Sequence, residues 1–267
     1  MLLKIICFIF VISTLNSFSS GKPHTENETN LNVSTTTKFI EKDNCLEAKS
    51  NGIYEVQLPT FNKSQPFKVA CDAETRGGGW TVILRRMDGS VDFYRNWTEY
   101  KNGFGNLSGE FFLGLDKIHS LTSYRNQELL ILLEDFEGSE TFANYEGFVV
   151  GNEDEQYELR SLNGYRGNAG NSLKYHCGSK FTTFDRDNDN VPTHNCAERS
   201  LGAWWYHDYV CHLSNLAGRY NETTFNKGIH WMQFRGPHYS LKRAVMMIRP
   251  IETYFNNFII MTCNNDI

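Results

Sequence analysis

The stretch DRDNDNVPTHNCAERSLGAWWYHDYVCH, residues 185–212, carries the densest chemistry in the chain. Asp185, Asp187 and Asp189 fall at every second position among asparagines, and Arg186 is the only cation beside them. Carboxylates packed this closely repel unless water or a cation compensates. An oxygen-rich, asparagine-rich turn suits a hard cation, calcium above all. A solvated acidic loop is the plain alternative, and the surrounding frame favours the metal. Cys196 and Cys211 flank the run Trp204-Trp205-Tyr206, so the acidic turn leads into a clamp of disulfide size. The spacing is not that of an EF-hand. With Asp185 as position 1, position 12 is Cys196, where a bidentate glutamate belongs. Calcium is therefore expected in an irregular loop.

Working outward, the cysteines take their meaning from the start of the chain. Residues 1–20 read as a secretory signal: Lys4 is the lone charge, residues 5–15 are almost wholly apolar, and Ser17, Ser19 and Ser20 follow. The apolar run is too short for a membrane span, and no later segment is long and apolar enough. The expectation is a secreted, extracellular protein without a transmembrane anchor. Cys7 leaves with the signal, and Cys45, Cys71, Cys177, Cys196, Cys211 and Cys263 remain. An even number in an oxidising compartment implies disulfides before metal thiolates or a catalytic thiol. Sequons at Asn27, Asn32, Asn62, Asn96, Asn106 and Asn221 agree with export. Residues 21–42, rich in Thr, Asn and Ser, read as a disordered leader. Residues 43–251 are globular in composition, and 252–267 form a tail. A net charge of −5 without basic clusters excludes nucleic acid as a partner.

Within the globular part, Gly and Asn punctuate short apolar runs, a pattern of short strands and long ordered loops. Residues 52–58 alternate and stop at Pro59, and 67–71 read as their hairpin partner. Gly77-Gly78-Gly79 introduces a strand over 80–86 with Trp80, Val82 and Leu84 on one face. Phe112, Leu115, Ile118 and His119 predict a short helix over 110–121. The run 129–133 is apolar on both faces and reads as a central buried strand. Residues 145–150 and 156–159 predict two antiparallel strands joined at 151–154. Residues 244–250 predict a closing strand stopped by Pro250. Gly164, Gly167 and Gly170 lack the strand and helix context of a dinucleotide fingerprint, and neither G-x-S-x-G nor H-E-x-x-H occurs, so no enzyme is expected.

Longer motifs carry a family resemblance. GGGWTVILRRMDGSVDFYRNW (77–97), YKNGFGNLSGEFFLGLDKIHSLT (100–122), FTTFDRDND (181–189), NCAE (195–198), GAWWY (202–206), CHLSN (211–215) and YSLKRAVMMIRP (239–250) resemble the fibrinogen C-terminal domain family. The resemblance spans about 43–251. It implies an α+β fold with an N-terminal disulfide subdomain, a central antiparallel sheet and a loop-rich, calcium-binding C-terminal subdomain. It implies the disulfides Cys45–Cys71 and Cys196–Cys211. It implies calcium held by the carboxylates of Asp187 and Asp189 and by two carbonyls. The first is that of Val191, the second that of Thr193 or His194, because this loop is one residue longer than usual. Cys177 and Cys263 are left over, and a bond tethering the tail to the domain is expected, with interchain pairing through Cys263 as the alternative.

The resemblance also implies a ligand pocket beside the calcium loop, near Cys211-His212, with Ser200, Phe225 and Asn226 on its wall. Here the chain departs from its relatives. Four residues separate Tyr206 from Cys211 where the family usually has two. Acetyl-binding members carry tyrosines at the positions of Ser200 and Phe225, a tryptophan at Pro237 and an alanine at Asn226. Fibrin-type knob binding uses an aspartate at Ser200. The implied function is a calcium-supported, lectin-like recognition module of innate immunity that takes a glycan or cell-surface glycoprotein. The alternative is a protein-binding modulator of a cell-surface receptor, of angiopoietin-like kind. A homo-oligomer is compatible with both.

Overall fold

The computed structural model describes residues 38–39, 43–59, 65–251 and 263. The segments expected as signal, leader and tail lie outside them but for residues 38–39 and 263, as do Asn27, Asn32 and Asn62. The strands are β1 (Lys38–Phe39), β2 (Gly52–Val56), β3 (Phe67–Asp72), β4 (Trp80–Arg86), β5 (Phe104–Gly105), β6 (Phe111–Phe112), β7 (Gln127–Glu134), β8 (Glu140–Tyr145), β9 (Gly147–Val150), β10 (Leu159–Asn163), β11 (Arg166–Gly167), β12 (Ser214–Asn215), β13 (His230–Trp231) and β14 (Arg243–Pro250). The helices are α1 (Trp97–Asn102), α2 (Leu115–Tyr124) and α3 (Cys196–Ser200).

The main sheet runs β1-β2-β3-β4-β14-β7-β8-β11, with β6 also on β4 and β5 on β6. All its pairs are antiparallel except β1 on β2. The closing strand β14 lies at the centre, with Met246 opposite both Leu84 of β4 and Ile131 of β7. Such central strands have no solvent face. In β4, Trp80, Thr81, Val82, Ile83 and Leu84 are all buried, which corrects the one-faced reading of that strand. At the end of β4 the buried Arg86 pins the 216–218 loop, its Nη1 donating to the Leu216 and Gly218 carbonyls at 3.0 and 2.7 Å.

Two further boundaries differ from expectation. Residues 110–113 are not helical: Phe111 and Phe112 extend the sheet, and helix α2 begins only after Gly114, whose φ of +111° no side-chain-bearing residue readily adopts. The strand predicted at 156–159 starts later, at Leu159. Asn152 and Glu155 cap a single 3-10 turn, and Gln156 and Tyr157 both have positive φ, so β10 pairs with β9 only beyond that corner.

Helix α1 was not expected, yet its start is written in the chain. Asn96 accepts from the Glu99 amide and Glu99 reaches back to the Asn96 amide, a capping box. The helix buries Trp97 and Tyr100 against rings from the other end of the molecule. Tyr100 meets Phe181 at 5.2 Å, and Phe181 meets Trp205 at 5.1 Å. This aromatic chain ties the sheet to the loop-rich region that holds the acidic stretch. Three disulfides are present: Cys45–Cys71, Cys177–Cys263 and Cys196–Cys211.

Candidate functional site

The acidic stretch forms an irregular loop fastened at both ends. Asp185, though exposed, accepts from the Trp97 amide at 2.9 Å and the Thr183 hydroxyl at 2.7 Å, so it anchors the loop to the start of α1. Asn188 donates through its side chain to the Phe181 carbonyl at 2.8 Å. Asn195 caps α3, accepting from the Ala197 amide, and donates to the Thr183 carbonyl at 2.9 Å. Between these anchors, Asp187 accepts from the Asp189 amide at 3.2 Å. Asp189 accepts from the amides of Val191 and Cys196 at 2.8 and 2.9 Å.

The two inner carboxylates lack a cation. Arg186 turns away, its guanidinium 4.0 Å above the Trp97 ring and 3.7 Å from Glu153. Among the described residues no ion pair reaches Asp187 or Asp189. Burial, with the charge of Asp187 as a further cause, holds the Asp189 carboxyl above its ordinary range despite its two amide partners. Two like charges side by side, Asp187 exposed and Asp189 half-buried, are a site that a hard cation would relieve.

His194 does not join the carboxylates through its ring. Its Nε2 lies 3.2 Å from the Arg199 guanidinium and 3.6 Å from Cys211 Sγ. His194, Cys196 and Cys211 would suit a thiolate metal site, but both sulfurs are consumed in the disulfide.

That disulfide joins the loop to the second group of expected residues. Ser200 Oγ and His212 Nε2 are hydrogen-bonded at 2.9 Å. The Asn226 backbone lies against the His212 ring. His230, which sequence reading missed, lies with its ring tilted against His212 at 4.6 Å. Ser200, His212 and His230 are all buried. Burial holds His212 well below the ordinary histidine range and pushes His230 down to about 4. Phe225 stands apart, half exposed, with its ring 5.2 Å from that of His238.

The lengthened segment 207–210 folds into a tight turn. The His207 amide donates to the Cys211 carbonyl at 2.8 Å, and Tyr209 and Cys211 both take positive φ. Tyr175, also missed, braces this turn from outside. Its hydroxyl donates to the Asp208 carbonyl at 2.9 Å, and its ring lies 4.8 Å from that of His207. Tyr209 is left at the tip, 93% exposed, with Val210 half exposed beside it.

The fold matches known proteins. A model of the C-terminal globular domain of fibrinogen beta and gamma chains matches residues 38–251. The chain belongs to that family. It is 46% identical to angiopoietin-related protein 2 of mouse and of human over 220 residues, covering 79% of this chain and 44% of theirs. It is 49% identical to ryncolin-4 of Cerberus rynchops over 203 residues, covering 75% of this chain and 57% of the relative. The chain thus spans about half the length of the curated relatives it matches. Among solved structures, the fibrinogen-like globe domain of human ANGPTL6 aligns with a TM-score of 0.75 at 40% identity, covering 82% of this chain and all of that one. A lamprey fibrin D-dimer complexed with the peptide Gly-His-Arg-Pro-amide aligns at 0.73 and 33% identity, covering 82% of this chain and 76% of that one. The family is one of non-enzymatic binding proteins. Among the described residues no helix is long and apolar enough to cross a membrane.

Proposed function

We propose that the chain is a secreted recognition module, supported by calcium, that binds a protein on a cell surface. The observation that carries this reading is the contrast between the buried pocket and its rim. Ser200, His212 and His230 are buried, with Ser200 hydrogen-bonded to His212 and the His230 ring tilted against it, while Tyr209 projects almost wholly into solvent from a braced turn. Tyrosine on a rigid turn is a common anchor of protein interfaces, because it buries much area at little entropic cost. The rival reading, a lectin-like module of innate immunity, asks for polar groups open to a small sugar. Burial of Ser200 and His212, with Phe225 turned toward His238, counts against it.

The test is binding of the fluorescently tagged protein to cells. Tyr209→Ala should weaken binding roughly thirtyfold, the loss expected of a hot-spot residue. Protease treatment of the cells should abolish binding and glycosidase treatment should not. The opposite pattern, or tight retention on acetylated resin released by N-acetylglucosamine and lost in His212→Ala, would return the protein to the lectins.

Calcium fits the acidic loop on its donors: two uncompensated carboxylates, Asp187 and Asp189, in a loop whose backbone is already bent around them. The residues that would hold it are these two and the carbonyls of Val191 and of Thr193 or His194. A bound ion would fix the loop that leads into the Cys196–Cys211 clamp. At about 1 mM calcium and a Kd of ~0.1 mM, linkage contributes roughly 1.4 kcal/mol. For a domain of this size chelation should lower the Tm by about 3–6 °C. Asp187→Ala should abolish the response to chelator, and an undiminished response in that variant would remove the assignment.

A further inference from the structure

A second surface feature is unrelated to the acidic loop. Met87, Phe136, Tyr220 and Tyr239 come together from four separate loops. Phe136 is 46% exposed and Met87 41%. The Phe136 ring meets Tyr220 edge-on at 6.0 Å and Tyr239 at 6.5 Å. Both phenol groups are engaged by the protein. Tyr220 donates to the Met87 carbonyl at 3.1 Å. Tyr239 donates to Glu137 at 2.6 Å and accepts from the Phe136 amide at 2.8 Å. The charges at the rim are paired: Arg235 with Asp135 and Glu137, Lys242 with Glu134. A Cβ on Gly89, at φ +74°, would lie 2.8–3.0 Å from Tyr220, so the 87–90 loop closes on this ring only as glycine. What remains at the surface is a fixed set of ring faces and edges, with Asp88 as the nearby exposed charge. Such a surface suits the C–H face of a sugar, which packs on aromatic rings and keeps its hydroxyls in water.

The next residue after Tyr220 supplies the sugar. Asn221 is exposed, sits in a turn at φ +55°, and opens the sequon Asn221-Glu222-Thr223. The left-handed bend places the attachment point at the edge of the aromatic cluster. We propose that Asn221 carries an N-linked glycan whose first sugars lie across Phe136, Tyr220 and Tyr239. In the attachment step the Asn221 amide nitrogen bonds to the anomeric carbon of a lipid-diphosphate-linked oligosaccharide. The C–O bond to the lipid diphosphate breaks, and the amide gives up one proton. The proposal rests on the extracellular reading above, since only an exported chain meets that donor.

The test uses the full chain expressed through a secretory pathway. Peptide mass mapping before and after N-glycanase should find Asn221 occupied. Thr223→Ala should remove that glycan and lower the Tm by about 2–4 °C, the size of one aromatic contact in a domain of this length. In a Phe136→Ser background the same change should have less than a third of that effect. Enzymatic deglycosylation of the folded protein replaces Thr223→Ala if that variant does not fold. Asn106, in the turn Gly105–Gly109 without an aromatic side chain, is the control. A glycan at Asn106 with Asn221 bare would overturn the proposal and leave export standing. A protein bare at all six sequons would sink the proposal together with the extracellular reading. Occupancy at Asn221 with an equal Tm shift in both backgrounds would also overturn it.

Discussion

Acidifying the protein from pH 7.5 to pH 4.5 lowers its melting temperature by at least about 10 °C. Three imidazoles in the loop-rich region carry this effect. His176 donates from Nδ1 to the Trp205 carbonyl at 2.7 Å and accepts from the Leu213 and Ser214 amides at Nε2, so it holds three loops in its neutral form. Burial pushes it down to about 3 and His230 to about 4, and holds His212 well below its ordinary range. The ordinary value is 6.5 in the unfolded chain. The unfolded chain therefore takes up protons that the folded chain refuses. Stability present above about pH 6.5 is lost progressively as the pH falls toward the folded values. At pH 4.5 His176 and His230 each cost about 2.5 kcal/mol, together roughly 5, against a typical total of about 5–15, and His212 acts in the same direction. The groups facing them oppose this little: His207 adds positive charge near His176, and the raised carboxyl of Asp189 gains only modestly in acid. Thermal unfolding across the range is the measurement. His230→Gln should remove one proton from the slope, about 1.4 kcal/mol per pH unit. A Tm constant to within about 3 °C between the two pH values would show that these histidines are hydrated in solution.

How much of this was legible follows from where each signal resides. The central sheet was readable, because burial on both faces writes itself as an unbroken apolar run in Leu129–Leu133 and in the strand ending at Pro250. The acidic loop was readable because like charges at alternate positions are costly without a purpose. Helix α1 was missed although Asn96 and Glu99 spell its cap, because its six residues are too few to show a period. The start of α2 was misplaced because Phe111 and Phe112 fit a helical face and a sheet edge equally well, and only Gly114 chooses. His230 and Tyr175 had no local signal at all. Their roles are set by partners at positions 212 and 208, and such contacts exist only once the loops close.

Replacing Cys196 and Cys211 together by alanine should destabilise the protein by about 3 kcal/mol and lower its Tm by about 6–12 °C. Alanine is the suitable replacement, because both positions are buried and serine would leave two hydroxyls without water. The bond closes a 15-residue loop, which sets the entropic part of the effect. Its position sets the rest. The Cys196 amide donates to Asp189, so freeing Cys196 loosens the carboxylate that calcium requires. The Cys211 carbonyl accepts from the His207 amide, so freeing Cys211 loosens the turn that presents Tyr209. The double variant should therefore lose most of its calcium-dependent gain in Tm. It should also exchange the amide hydrogens of residues 207–212 at least tenfold faster, while β7 and β14 remain protected. Cys45–Cys71 makes the contrast. It joins the segment before β2 to β3, where Gly52 already pairs with Cys71 in the sheet, so its removal should leave the calcium response intact. A Cys196→Ala/Cys211→Ala protein with the parent's calcium response and unchanged exchange at 207–212 would show that the hydrogen bonds alone hold the two loops together.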